Sequence, residues 1–213
     1  MQRFLYRLLR FALAIGCLLF FLTPAAQADE PNILVLGDSI SAAYGMSLEQ
    51  GWVALLEKEL ARQGKPVTLV NASISGETTA GGLRRLPALL ADHTPTLVLI
   101  ELGANDGLRG YPLQGLRDNL RRMVEAAQRA GARVLLLPME IPPNYGARYA
   151  QGFRDAFASV AEETGAELAP FILEAFATDP AMMQADGIHP TSAAQPLMLQ
   201  AVMPSILKLL ETP

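Results

Sequence analysis

Short apolar runs, each followed by a stretch of helical spacing, limit this chain to few folds. The first is Ile33-Leu34-Val35-Leu36, four apolar residues rich in β-formers, stopped by Gly37 and followed by Asp38-Ser39. A run this short and this uniformly apolar reads as a strand buried on both faces. Similar runs follow at residues 66–70, 96–102 and 133–137, and a weaker one at 166–169. Between them, residues 49–63, 83–91, 113–130 and 148–163 predict helices, and a last helix is expected over 192–210. Gly64 and Gly131 suit helix ends and Pro112 a helix start. Strands alternating with helices at these lengths imply a parallel sheet covered on both faces, a three-layer α/β/α domain. Right-handed crossovers restrict the strand order, but the sequence does not give it.

The first 28 residues do not belong to that pattern. Arg3, Arg7 and Arg10 precede an apolar run of twelve, Phe11 to Leu22, and Ala26-Gln27-Ala28 is a small-x-small site. This is the layout of a secretory signal peptide cleaved after Ala28, leaving one domain at 29–213. Twelve residues fall short of the ~20 that span a bilayer. Cleavage removes three of the 17 basic residues and no acid, leaving 14 against 21, a formal net charge of −7. An acidic product argues against nucleic acid or anionic lipid as a partner. The single cysteine, Cys17, leaves with the signal, so neither a thiolate nucleophile nor a zinc–thiolate site is expected. No second membrane span is expected in the product, which is read as periplasmic or secreted.

In a parallel sheet the carboxyl ends of the strands share one edge, where ligands bind. The strand ends here read Gly37-Asp38-Ser39, then Asn71-Ala72-Ser73-Ile74-Ser75-Gly76-Glu77, then Gly103-Ala104-Asn105-Asp106-Gly107. Asp186-Gly187-Ile188-His189-Pro190 lies between the last strand and the last helix. A lone serine after a strand is usually a turn or cap residue. A serine nucleophile, however, needs an imidazole to take its proton and a carboxylate to orient that imidazole. His189 with Asp186 three residues earlier lets one loop present both; His93, leading into the third strand, is expected at the opposite end of the sheet. Acyl transfer also needs donors aimed at the developing oxyanion, each worth on the order of 3 kcal/mol. The N–H of Ser39, the N–H of Gly76 and the side-chain amide of Asn105 are the candidates. Asp38 is expected to organise the turn through hydrogen bonds. There is no G-x-S-x-G, no G-x-G-x-x-G and no P-loop, and two histidines are too few for a metal cluster.

Gly37-Asp38-Ser39-Ile40, Gly76, Gly103-Ala104-Asn105-Asp106 and Asp186-Gly187-Ile188-His189 together resemble the four blocks of the SGNH (GDSL-type) esterases and lipases, with Ile40 where the family's name has Leu. Longer stretches at 38–46, 103–110 and 142–146 are similar to its exported bacterial thioesterase and lysophospholipase members. The resemblance implies a flavodoxin-like fold with five parallel strands. It implies Ser39 as nucleophile, His189 as general base and acid, Asp186 as its orienting partner, and Ser39, Gly76 and Asn105 as the oxyanion hole. It also implies hydrolysis of acyl thioesters, aryl esters and lysophospholipids with no cofactor and no metal. Leu108 and Pro112 fall in a loop that the family uses at its acyl pocket.

The expected function is therefore a serine esterase acting on a small-molecule acyl ester or thioester, as a monomer. A carbohydrate O-acetyl esterase of the same fold is the alternative, with Arg109 and the Asn144–Tyr145 loop against sugar. A non-enzymatic binding module finds little support in a chain with neither cofactor fingerprint nor extended basic face, and would be favoured if Ser39 and His189 lay beyond hydrogen-bond reach.

Overall fold

The computed structural model describes residues 30–211. The expected signal peptide, its cleavage after Ala28 and Cys17 lie outside the described residues. Strand β1 is Asn32–Gly37, followed by a 3-10 turn at Leu48–Gln50 and helix α1 at Trp52–Arg62. Strand β2 (Thr68–Asn71), helix α2 (Thr79–His93) and strand β3 (Leu97–Glu101) come next. A short helix α3 (Ala104–Leu108) and the long α4 (Leu113–Arg129) lead to β4 (Arg133–Leu136). Helix α5 (Ala147–Thr164), strand β5 (Glu167–Leu168), a 3-10 turn at Ser192–Ala194 and helix α6 (Gln195–Glu211) complete the chain.

All five strands pair in parallel in the order β2-β1-β3-β4-β5. Helices α1 and α6 pack on one another, as do α2 with α4 and α4 with α5. This gives one helical layer on each face of the sheet. The central strands explain the uniform apolar runs: Ile33 to Leu36 and Leu97 to Ile100 have no exposed surface. Each such side chain stabilises the fold by roughly 1.5–3 kcal/mol on burial. β2 lies at the sheet's edge, with Thr68 and Asn71 exposed. Helix α4 turns Leu116, Leu120, Met123, Val124 and Ala127 inward, at the spacing of one helical face.

Two elements differ from the sequence reading. Residues 104–108 form a helix where a loop is expected, because Gly103 at φ +124° breaks sharply out of β3. Helix α2 begins at Thr79 rather than 83 and continues through Pro87, burying Gly81 and Gly82 inside it. Helix propensity disfavours glycine there, but close packing decides the residue. A Cβ on Gly82 would lie 2.3 Å from Cδ1 of the buried Leu102. By composition, the final helical stretch Ser192–Glu211 is long and apolar enough to cross a membrane, with a mean hydropathy of 1.2. It instead packs on α1 and β4, burying Met198, Val202, Met203 and Ile206.

Gly82→Ala separates propensity from packing. Propensity alone would stabilise by ~1 kcal/mol, whereas overpacking costs about 1–3 kcal/mol. A net loss in urea unfolding is expected; a gain in stability would contradict the packing at this helix.

Candidate active site

The strand order places the carboxyl ends of β1 and β3 side by side, with α1 and α4, which follow them, on opposite faces. Crevices open at such switch points. Ser39 stands two residues past β1 and Asn105 four past β3. The chain then coils away from Ser39: Ala42 N–H donates to the Asp38 carbonyl at 2.9 Å and Tyr44 N–H to that of Ser39 at 3.2 Å. Ser39 is half-buried, on an ordinary strand-to-helix turn.

The structure brings Ser39, His189 and Asp186 together, although 150 residues separate the first two. His189 Nε2 lies 2.9 Å from Ser39 Oγ, and Nδ1 lies 2.7 Å from Asp186 Oδ2. These partners suit the neutral tautomer in which Nδ1–H donates to Asp186 and Nε2 accepts from the serine hydroxyl. Asp186 Oδ1 accepts the backbone N–H groups of Ile188 (2.9 Å) and His189 (3.0 Å). The His189 side-chain hydrogen bond, then the two backbone donors, hold the Asp186 carboxyl down at about 2. Asp186 therefore stays charged through the neutral range.

Gln184 fastens this loop, a role nothing in its local sequence announces. Its N–H donates to the His189 carbonyl at 2.7 Å, and its side-chain amide donates to the carbonyls of Tyr44 (2.8 Å) and Pro190 (3.0 Å). Gly45 leaves room for it, since a Cβ there would sit 2.4 Å from Gln184 Oε1. The Tyr44 ring lies against His189, centroid to centroid 4.3 Å. His93 lies at the other end of the sheet, where its carbonyl accepts from the Asn32 side chain at the start of β1.

Asp38 does organise the turn. It is fully buried; Oδ1 accepts from Ile40 N–H at 3.0 Å and Oδ2 from the Asn105 side-chain amide at 3.0 Å. Burial outweighs those donors and raises its carboxyl to about 6. One amide hydrogen of Asn105 is thus held by Asp38, which leaves the second available to a ligand. Asp106, the next residue, accepts the Thr79 hydroxyl at 2.6 Å and the Thr79 N–H at 2.9 Å. That pair ties α3 to the start of α2, just beyond Gly76. Gly76 itself is exposed at φ +78°, its carbonyl accepting from Arg109 Nη2 at 3.1 Å. Leu108 is half-buried and its carbonyl accepts from the Tyr145 hydroxyl at 2.8 Å; Pro112 is exposed ahead of α4. A cavity of about 590 Å³ beside this segment is lined by Leu113, Tyr145, Tyr149 and Gly152 among others, not by Leu108 or Pro112. Among the described residues no group of three or more His, Cys, Asp or Glu could hold a metal.

An imidazole poised between a hydroxyl and a carboxylate at the mouth of a parallel sheet is the equipment of an ester hydrolase, and comparison with known proteins gives the same class. The profile of the GDSL-like Lipase/Acylhydrolase family matches residues 35–196. Esterase TesA of Pseudomonas aeruginosa is 52% identical over 202 residues, which are 95% of this chain and 100% of that protein. The arylesterase of Vibrio mimicus is 48% identical over 194 residues (91% and 97%). Thioesterase 1/protease 1/lysophospholipase L1 of Escherichia coli is 46% identical over 174 residues (82% and 81%). Among solved structures, the crystal structure of TesA superposes with a TM-score of 0.82 at 54% identity, covering 84% of this chain and 99% of that one. The psychrotrophic esterase EstA from Pseudoalteromonas sp., inhibited by monoethylphosphonate, gives 0.80 at 48% identity (85% and 99%). The chain belongs to the GDSL-like lipase/acylhydrolase family. It is an acyl ester hydrolase with the three-layer fold of its SGNH relatives.

The raised Asp38 carboxyl has a consequence for stability. Between about pH 4, where the unfolded aspartate titrates, and about pH 6, the folded state binds one more proton than the unfolded. Stability from this group is therefore present in acid and lost as pH rises, by on the order of 1 kcal/mol per pH unit. Urea unfolding of wild type and Asp38→Asn across that window should give a difference that shifts against wild type with rising pH. A constant difference would contradict the raised carboxyl.

Proposed function

We propose that this chain is an exported serine hydrolase that cleaves acyl esters and thioesters through an acyl-enzyme on Ser39. The observation that carries the reading is the unbroken Ser39 Oγ–His189–Asp186 chain at 2.9 and 2.7 Å. Ser39 Oγ attacks the acyl carbonyl while His189 Nε2 takes its proton. Asp186 holds the imidazole in register and balances the imidazolium's charge. The carbonyl oxygen becomes negative and is met by the N–H of Ser39, the N–H of Gly76 and the free amide hydrogen of Asn105. Collapse breaks the bond to the alkoxide or thiolate, which takes the proton from His189. Water then repeats the sequence against the acyl-serine and releases the acid. Every step uses these side chains, the two backbone N–H groups and water.

The substrate class is read from the relatives, which are named as esterase, arylesterase and thioesterase/lysophospholipase. The small-molecule acyl chain is taken to run along the segment from Leu108 to Pro112. Residues 1–28 act as the export signal and 29–213 as the catalytic domain, outside the cytoplasm and monomeric.

Ser39→Ala should lower turnover of both a p-nitrophenyl ester and an acyl-CoA by about 10³-fold or more. Turnover retained within about tenfold of wild type, a change of only ~1.4 kcal/mol in the barrier, would overturn the nucleophile. Asn105→Ala should cost about 10²–10³ in kcat, the usual loss for one oxyanion donor; an unchanged kcat would remove Asn105 from the hole.

A further inference from the structure

One buried acid beside the site takes no part in the steps above. Glu101 ends β3, abreast of Gly37 at the end of β1, and has no exposed surface. Its Oε2 accepts from the Ser41 hydroxyl at 2.7 Å and from the Asp38 backbone N–H at 3.3 Å, while Oε1 has no partner. One carboxyl group thus holds the residue before Ser39 and the residue two after it. Ser41 is held from the other side as well: the Trp52 indole N–H donates to its hydroxyl at 3.2 Å, and the Asn71 amide at the end of β2 donates to its carbonyl at 2.9 Å. Gly37 is required by this arrangement, because a Cβ would lie 2.8 Å from Glu101 Oε2 and 2.7 Å from Ser41 Cβ.

Resting on the reading of Ser39 as nucleophile, we propose that Glu101 is a positioning residue, kept as the neutral acid, that fixes the Ser39 turn through Asp38 and Ser41. Asp38 is then the one anion of the pair, and its carboxylate aims the Asn105 amide. Two adjacent buried carboxyls do not both ionise. Asp38 has a donor on each oxygen, whereas Glu101 has an oxygen with none, and an unpaired buried charge is expensive. The titratable groups facing Asp38 are Glu101, His189 and Asp106; Glu101 in turn faces Asp38, the Ser41 hydroxyl and, through it, the Trp52 N–H. Burial first, and the Asp38 charge second, raise the Glu101 carboxyl well above its ordinary range. With its proton on the unpartnered Oε1, a neutral Glu101 keeps Oε2 as the acceptor of the Ser41 hydroxyl and the Asp38 N–H.

The test pairs infrared spectra of the whole enzyme with kinetics on a p-nitrophenyl ester. Above the titration of Asp38, at about 6, the wild type should keep the carbonyl stretch of one protonated carboxyl. Glu101→Gln should remove that band, and Ser41→Ala, which strips the hydroxyl from Oε2, should shift it in a folded protein if the Gln variant does not fold. Glu101→Ala should lower kcat by about tenfold or more with KM little changed, as a misplaced nucleophile does. Glu101→Gln, which mimics the neutral acid, should recover most of that loss. A wild type without the band, or a Gln variant as impaired as Ala, would overturn the proposal. Failure of the nucleophile reading is separable: it would appear as activity retained in Ser39→Ala, whatever the infrared band does.

Discussion

The carboxyl end of β1, clamped between β2 and β3, is the constraint on which the site depends. Its residues pair on one side with Thr68–Asn71 and on the other with Leu97–Glu101, so Gly37 and Glu101 are forced abreast. Ser39 therefore leaves the sheet from a fixed point, and the turn that carries it is tied to both neighbours through Ser41. Asn105 starts from the adjacent strand end, and Asp38 links the two across the gap. The Gly76 segment joins the same frame, because Asp106 grips Thr79 a few residues downstream. Three separate stretches of chain thus share one rigid edge, with backbone hydrogen bonds and buried carboxyl groups as the fasteners. Preorganisation of this kind lets donors act on a developing charge without first rearranging.

Environment separates the two aspartates beside Ser39 and His189. Asp186 is exposed over 40% of its side chain, has three donors on it and is held acidic at about 2. Asp38 is fully enclosed with two donors and is raised to about 6. In the proposed mechanism the same side chain therefore supplies a counter-charge to His189 on one loop, while at the other position it is a buried link to Asn105. Desolvation decides the second and hydrogen bonding the first.

Much of this edge was legible in the sequence, because the apolar runs locate the strand ends and each strand end carries its polar residues within a few positions. Ser39, Asp186 and His189 stood out by type and spacing, and Gly76 and Asn105 as donors at neighbouring strand ends, with the resemblance to four family blocks pointing to the same residues. What the sequence hid depends on contacts between distant positions. Strand order requires knowing which runs pair, and no run encodes its neighbour. Glu101 reads as one polar residue in an apolar strand; only the approach of Asp38 and Ser41 gives it a purpose. Gln184 looks like any loop glutamine until the fold brings Tyr44 and Pro190 to its amide. Gly82 reads as a weak helix residue because the methyl of Leu102 that requires it lies 20 positions away.

The most direct measurement is covalent labelling of the whole enzyme with an activated p-nitrophenyl alkylphosphonate, followed by peptide mass spectrometry. A phosphonate takes the nucleophile's oxygen in place of the acyl carbonyl and halts at the tetrahedral stage, so it marks the attacking atom. The expected result is inactivation with one adduct per chain, carried by the peptide containing Ser39. An adduct on another residue accompanying the loss of activity, or full inactivation with Ser39 unmodified, would contradict the account.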